Sequence, residues 1–286
     1  MTIKMIEYFD DHFYKIELEN GTVEYLPSVT TKLGAAPKPF LARWRGDIGN
    51  READQRMYDA ANKGKRIHYA VNLFLNDGVI ILNPFNHPNY TAEAIKEIQS
   101  RIDREVFILQ DQDEMLHVFR FQEWIKRTNA RILATDQIVY DLLFKEAGTL
   151  DFALEIEAGT YEINGAKSLK LETGTYIADL KTGSDVYDEA YLQIAAYSNM
   201  YFMCGEFPTN FKGALIIHTG SKTRTGIPGL STILRTPDMV LADYNDFRHV
   251  AAIWDRQNKN AMPRQLEFPS LITKNAALLD AEKVAA

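Results

Sequence analysis

Thiols are nearly absent from this chain: among 286 residues there is one cysteine, Cys204. That excludes an internal disulfide and any zinc or iron–sulfur centre built on cysteines. A reducing, cytoplasmic setting is the expectation that follows. Long apolar runs are missing as well. No stretch approaches the roughly 20 residues that span a bilayer, and the first seven residues lack the apolar core of a signal peptide. No membrane association is expected. Basic residues are in deficit, with 32 Lys and Arg against 39 Asp and Glu and a formal net charge of −7. This balance argues against a protein that coats nucleic acid by bulk charge, and it predicts weak affinity for intact duplex at physiological salt. It leaves room for an enzyme that grips nucleic acid in one local groove. Carboxylates clustered at a metal site would themselves push the count down. The hydrophobic share, 46%, lets a chain this long bury a core without cross-links.

The start of the chain reads as a hairpin. Residues 14–18 and 22–26 alternate apolar and polar, and Asn20-Gly21 between them is a preferred type I′ turn. From about 38 to 77 the pattern is helical, with breaks expected at Gly46-Asp47 and at Gly64; Ile67, Ala70, Val71 and Phe74 make an apolar face. A loop follows at 83–88. Helices are expected at about 92–109 and 113–128, the second spaced by Met115, Val118, Phe119, Gln122 and Ile125. Strand-like runs dominate from Arg131, at 131–135, 137–144, 149–156 and 176–180, with a hairpin inserted between Glu155 and Gly174. A helix at about 188–204, strands at 213–218 and 230–235 and a helix at about 239–258 complete the pattern. The expected fold is α/β in a single unit. A mixed central sheet flanked by helices spans 131–260, an N-terminal hairpin and helical cap spans 1–130, and an irregular tail spans 261–286.

Two of these strands carry the chemistry. Asp151 lies in one, and Asp179-Leu180-Lys181 ends the other. An Asp and an Asp-x-Lys at the ends of neighbouring strands build a divalent-metal site with a lysine beside it. A phosphodiester repels nucleophiles and leaves poorly; a divalent ion activates water and neutralises the leaving oxyanion. Mg²⁺ takes oxygen ligands, and Mn²⁺ also tolerates nitrogen. Alternation along the strand sets Asp179 and Lys181 on one side. It lets Leu180 offer its backbone carbonyl to the metal while its side chain packs in the core. Lys181 is then within reach of the attacking water or the phosphate. Gln193-x-x-x-Tyr197 places both residues on one helical face.

Gly148-x-x-Asp151, Asp179-x-Lys181-Thr182-Gly183 and Gln193-x-x-x-Tyr197 together resemble the PD-(D/E)XK nuclease superfamily, in particular its RecB-like exonuclease branch. Leu26-Pro27-Ser28-Val29-Thr30, Trp44 and Gly64-x-x-x-His68 extend the likeness to phage-type exonucleases and their mitochondrial genome-maintenance relative. Scattered positions over roughly residues 25–220 carry it. The resemblance implies a restriction-endonuclease-like core and a metal-dependent deoxyribonuclease, foremost an exonuclease on single-stranded DNA ends in recombination, repair or replication. It implies Asp151 and Asp179 as metal carboxylates, His68 as a further metal ligand and Lys181 as the catalytic lysine. Gln193 and Tyr197 would support the site and touch the DNA backbone, with Thr182 a further contact. Mg²⁺ or Mn²⁺ is the implied cofactor, and a recombination or single-strand-binding protein the implied partner. The implied location is the cytoplasm of a bacterium or phage-infected host. Many relatives have Glu where this chain has Asp136, one methylene shorter, and the role of Asp136 stays open. Some relatives hold an iron–sulfur cluster on four cysteines, which this chain does not have.

Each candidate has a plainer reading. Asp179 and Lys181 also fit a structural ion pair, His68 a satisfied histidine on a helix surface, and Tyr197 a core tyrosine with a polar neighbour. Ser28 and Thr30 either bind a phosphate or cap a helix. Arg43 and Trp44, with Arg45, either stack on and neutralise a single strand or form an amphipathic helix with Trp44 turned inward. His87, His117, His218 and His249 show no ligand spacing and read as structural. Two other functions compete: a non-catalytic nucleic-acid-binding protein on the same fold, and a restriction-type endonuclease.

Overall fold

The computed structural model describes residues 1–8, 11–83, 91–101, 104–164, 167–205 and 210–266. β1 (Thr2–Tyr8), β2 (Asp11–Glu17) and β3 (Val23–Pro27) form an antiparallel sheet. The β2–β3 hairpin is the expected one, with β1 added outside it, but its turn differs. The Gly21 N–H donates to the Leu18 carbonyl at 2.9 Å, and Gly21 has φ 80° while Asn20 is not in the positive-φ region. The turn is therefore a three-residue one closed by a left-handed glycine, not type I′. Asn20 accepts the Thr22 N–H on its Oδ1 at 3.0 Å, which holds it in the ordinary conformation.

α1 (Val29–Leu33), α2 (Pro39–Ile48) and α3 (Asn50–Leu75) follow. The helical break falls at Gly49, φ 83°, not at Gly46-Asp47. α3 then runs unbroken through Gly64. A glycine inside a helix costs about 1 kcal/mol relative to alanine. Burial of Ile67, Val71 and Leu73 a turn or two later outweighs that cost. A Cβ at Gly64 would stand 3.5 Å from Thr182 Oγ1, an ordinary contact, so packing there does not require glycine.

β4 (Val79–Leu82), α4 (Ala92–Arg101), β5 (Val106–Leu109) and α5 (Gln112–Thr128) come next. The helix expected over 92–109 stops at Arg101. Its last residues, Val-Phe-Ile-Leu, pair in parallel with Val-Ile-Ile-Leu of β4, as their β-branched and aromatic side chains favour. α5 starts on an Asp111 cap that accepts the Glu114 N–H at 2.8 Å. Its buried stripe is Glu114, His117, Val118, Phe121, Trp124 and Thr128. Of the residues that set its expected spacing, Val118 is buried and Met115 and Ile125 pack on the core, whereas exposed Phe119 and half-buried Gln122 line an open groove with Phe74 and Ile80.

The second half contains β6 (Arg131–Asp141), β7 (Glu146–Ile156), β8 (Gly159–Asn164), β9 (Lys167–Leu171), β10 (Gly174–Lys181), α6 (Asp188–Cys204), β11 (Phe211–His218), β12 (Ser231–Arg235) and α7 (Pro237–Gln257). β8 and β9 are the inserted hairpin, and α6 has the expected bounds. The central sheet is mixed, in the order β12-β11-β10-β7-β6, with β10 and β11 parallel and the other neighbours antiparallel. Ile67, Val71, Phe121 and Trp124 of α3 and α5 cover one face, against Phe152, Tyr176 and Leu180. Ile194, Met200 and Phe247 of α6 and α7 cover the other, against Ile177 and Ile216. Both faces of β10 are thus buried, which accounts for its consecutive apolar residues Tyr176-Ile177-Ala178.

Two helices expected in an N-terminal cap are therefore one of the two layers on the sheet. What stands off is α2, which has no buried residue, and the outer half of α3. The expected loop past Asn83, including His87, and the tail past residue 266 lie outside the described residues. Among the described residues no helix is long and apolar enough to cross a membrane.

Candidate active site

β10 and β7 pair from Gly174↔Ile156 to Ala178↔Phe152 and then part. Continuing that register sets Asp179 opposite Asp151. Where a further ladder bond would form, the Leu180 N–H donates to Asp151 Oδ2 at 2.7 Å. A side-chain carboxylate thus satisfies the backbone at the point where the strands splay. On the other side of β7, the pairs Thr135↔Phe152 and Gln137↔Leu150 set Asp136 opposite Asp151. Three aspartates from three adjacent strands stand in one row. Asp136 sits there with φ 45°, a left-handed conformation that aspartate tolerates better than most residues. β7 is also distorted at this level. Phe152 joins the core under α3 and α5, whereas Leu150 joins the core under α6 and α7. The broken alternation lets helices on both faces reach the row.

α3 contributes His68 and, one turn later, Asn72. His68 Nδ1 lies 3.4 Å from Asp151 Oδ2, and Asn72 Nδ2 donates to Asp136 Oδ2. From the other face, α6 contributes Gln193 and Tyr197, also one turn apart. Lys181 Nζ is 2.8 Å from Asp179 Oδ2 and donates to Gln193 Oε1 at 3.0 Å. Gln193 Nε2 in turn donates to the Tyr197 hydroxyl at 3.2 Å. The Tyr197 ring packs on Gly148, where a Cβ would collide with it. The Leu180 side chain is fully buried among the residues under α3 and α5.

Charge in this cluster is unevenly matched. Burial pushes the Asp179 carboxyl up to about 6, against the pull of Lys181 and with the push of Asp151. Burial also acts on Asp151, but His68, Lys181 and the Leu180 N–H hold its carboxyl below the usual range. His68 and Lys181 are both penalised by burial, yet the aspartates beside them raise both and favour their charged forms. The Asp136 carboxyl is raised by burial and by Asp151. Asp179 Oδ2 is buried, touches Lys181 as an ion pair and receives no hydrogen bond of good geometry. Hard oxygen donors on Asp151 and Asp179, with the Leu180 carbonyl on the strand edge whose N–H meets Asp151, fit a divalent cation. Among the described residues no three His, Cys, Asp or Glu side chains close into a preformed ligand cage.

The other candidates fall into two places. Ser28 is buried and caps α1, its Oγ accepting the Thr31 N–H at 2.9 Å; Thr30 is exposed with its hydroxyl 2.9 Å from that oxygen. The capping geometry accounts for Ser28. Arg43 is exposed and Trp44 half-buried on α2, so Trp44 is outside the core. The arm that carries them leaves the body where Lys38 Nζ approaches Glu189 of α6 at 3.9 Å, and it returns where Gly64 meets Thr182. It therefore flanks the turn that follows Lys181. Two neighbours of the row went unread in the sequence. Tyr14 places its hydroxyl 2.8 Å from Thr149 Oγ1. Asn72 carried one signal, its position four residues after His68 on the same helical face. No family model matches this chain, and no curated protein matches it either.

Proposed function

We propose that this chain is a metal-dependent nuclease of the PD-(D/E)XK kind on a restriction-endonuclease-like core, acting as an exonuclease on single-stranded DNA ends. The observation that carries this reading is convergence. His68, Asp151, Asp179, Lys181, Gln193 and Tyr197, spread over 130 sequence positions and four elements, are joined by one continuous set of contacts. A structural Asp–Lys pair needs none of the others. Asp151, Asp179 and the Leu180 carbonyl, with His68, are the groups that would hold Mg²⁺ or Mn²⁺. Such an ion supplies Lewis-acid activation of water and charge neutralisation at the leaving oxygen.

The chain's own residues do the rest. Lys181, kept charged by the two aspartates, presents an ammonium to a phosphate oxygen at the end of β10. Gln193 Oε1 accepts a hydrogen bond from the ammonium and so fixes its direction, and Tyr197 fixes Gln193. The α2–α3 arm beside this point offers Arg43 and Trp44 to an unpaired strand. A strand end reaching the site past the arm gives the preference for ends. The reading carries with it a cytoplasmic setting and a recombination or single-strand-binding protein as partner.

The test uses single-stranded DNA labelled at the 5′ or the 3′ end, with Mg²⁺ or Mn²⁺. Release of mononucleotides or short oligomers from one end, lost in Asp179→Ala and Lys181→Ala, is the expected result. Discrete internal fragments, or digestion of closed single-stranded circles as fast as linear strands, would overturn the exonuclease reading. No metal-dependent cleavage at all would overturn the nuclease reading.

A further inference from the structure

The end of β10 is held from behind by residues that the proposed chemistry does not use. Thr219 follows β11, whose last residue His218 pairs with Lys181. The Thr219 N–H donates to the Lys181 carbonyl at 2.9 Å, and its hydroxyl is 3.4 Å from the same oxygen. Thr219 is fully buried. α5 reaches it twice, from residues three apart on one face. His117 Nδ1 is 2.8 Å from Thr219 Oγ1, and Arg120 Nη1 donates to the Thr219 carbonyl at 2.7 Å. The Arg120 guanidinium occupies the space over Gly229, where φ is 79° and no Cβ fits. One residue on, Gly220 packs backbone to backbone on the carbonyls of Thr182 and Gly183. His218 Nε2 is 2.7 Å from the Gly183 carbonyl.

Every polar atom of Thr219 is therefore committed, and two of its contacts converge on the main chain of Lys181. Lys181 is the last residue of its strand and is followed by the Thr182-Gly183 turn. Without a brace, its carbonyl is the pivot about which the side chain would swing. An error of about 1 Å in the ammonium position costs up to about 100-fold in rate.

We propose that Thr219, braced by His117 and Arg120, is a positioning residue that fixes Lys181 against the scissile phosphate. It acts through the Lys181 backbone and does not touch the substrate. This inference rests on the nuclease reading. The two fail separately, because an inactive wild-type protein sinks the reading before any variant is made.

Given an active wild type, the test compares Thr219→Val with Thr219→Ser. Valine keeps the shape and the N–H bond and removes only the hydroxyl. The expected result is a fall of about tenfold in kcat with KM within twofold, and recovery in Thr219→Ser. A folded Thr219→Val protein with wild-type kcat overturns the inference, as does a loss confined to KM. If Thr219→Val does not fold, His117 decides. His117→Asn keeps a hydrogen-bonding group where Nδ1 stands, and His117→Gln moves it outward. A selective kcat loss in the glutamine variant alone supports the brace; equal kcat in the two variants overturns it.

Discussion

Tyr197 lies against Gly148 so closely that no side chain fits between them. The glycine of one strand motif thus makes room for the tyrosine of a helix motif about 50 positions later. That tyrosine holds Gln193, which holds Lys181. In Gly148→Ala, overpacking should cost about 1–3 kcal/mol and displace the ring. Urea unfolding should show the loss, and the nuclease activity proposed above should fall with it. Tyr197→Phe keeps the ring and loses only the hydroxyl, so its activity should fall with little change in the unfolding midpoint.

Asp136 separates backbone strain from carboxylate chemistry. Its φ of 45° suits glycine and asparagine, and suits alanine poorly. Asp136→Gly should therefore be more stable than Asp136→Ala by about 1 kcal/mol, although both remove the same carboxylate. Matched denaturation curves are the check. Equal midpoints would mean that position 136 is not held in the left-handed conformation.

Lys32 is fully buried between α1, α7 and the β6–β7 hairpin. Its ammonium donates to the Phe144 carbonyl at 2.9 Å, lies 3.2 Å from Glu146 and lies 3.1 Å from Asp255. Burial already pushes the Glu146 carboxyl up, with Arg248 the other cation at 2.7 Å. Lys32→Met removes one partner from a buried charge and should cost about 3–5 kcal/mol. The unfolding midpoint should drop accordingly, and Lys32→Arg should recover only part of it.

Acid should weaken the fold through His117. Burial pushes this imidazole down to about 4, with Lys63 and Arg120 also disfavouring its charge and Asp113 opposing them. Unfolded, it titrates near its ordinary 6.5. Between these values the unfolded chain binds more protons, so stability falls as pH drops from 6.5 to 4 and is flat above. The contribution reaches roughly 3 kcal/mol at the acid end. His117→Asn should flatten this part of the stability–pH curve measured by urea denaturation. An unchanged slope would contradict the assignment.

Elements whose pattern is local and strong were legible in the sequence. α6 took its expected bounds on the strength of its long apolar run, without a side-chain cap at its start, and β10 was visible, two residues short at its start and one at its end, because Thr175–Leu180 is buried on both faces. The site motifs were legible as residue types at fixed spacing. Their contacts were not, since Asp136 meets Asp151 only through strand register and Asn72 meets Asp136 only through helix packing. β5 was hidden because Val106–Leu109 is too short to show a period, and its parallel partner β4 lies across α4. Gly64 was misleading because a glycine punctuates a helix only where no buried face lies beyond it. Lys32 was hidden for the opposite reason: nothing near it in sequence announces Glu146 or Asp255.

α3 has no joint between its exposed outer half and the buried stretch bearing His68 and Asn72. Twenty-six residues at 1.5 Å each make a rod of about 39 Å. The exposed arm and the two side chains that meet Asp151 and Asp136 therefore share one unbroken backbone.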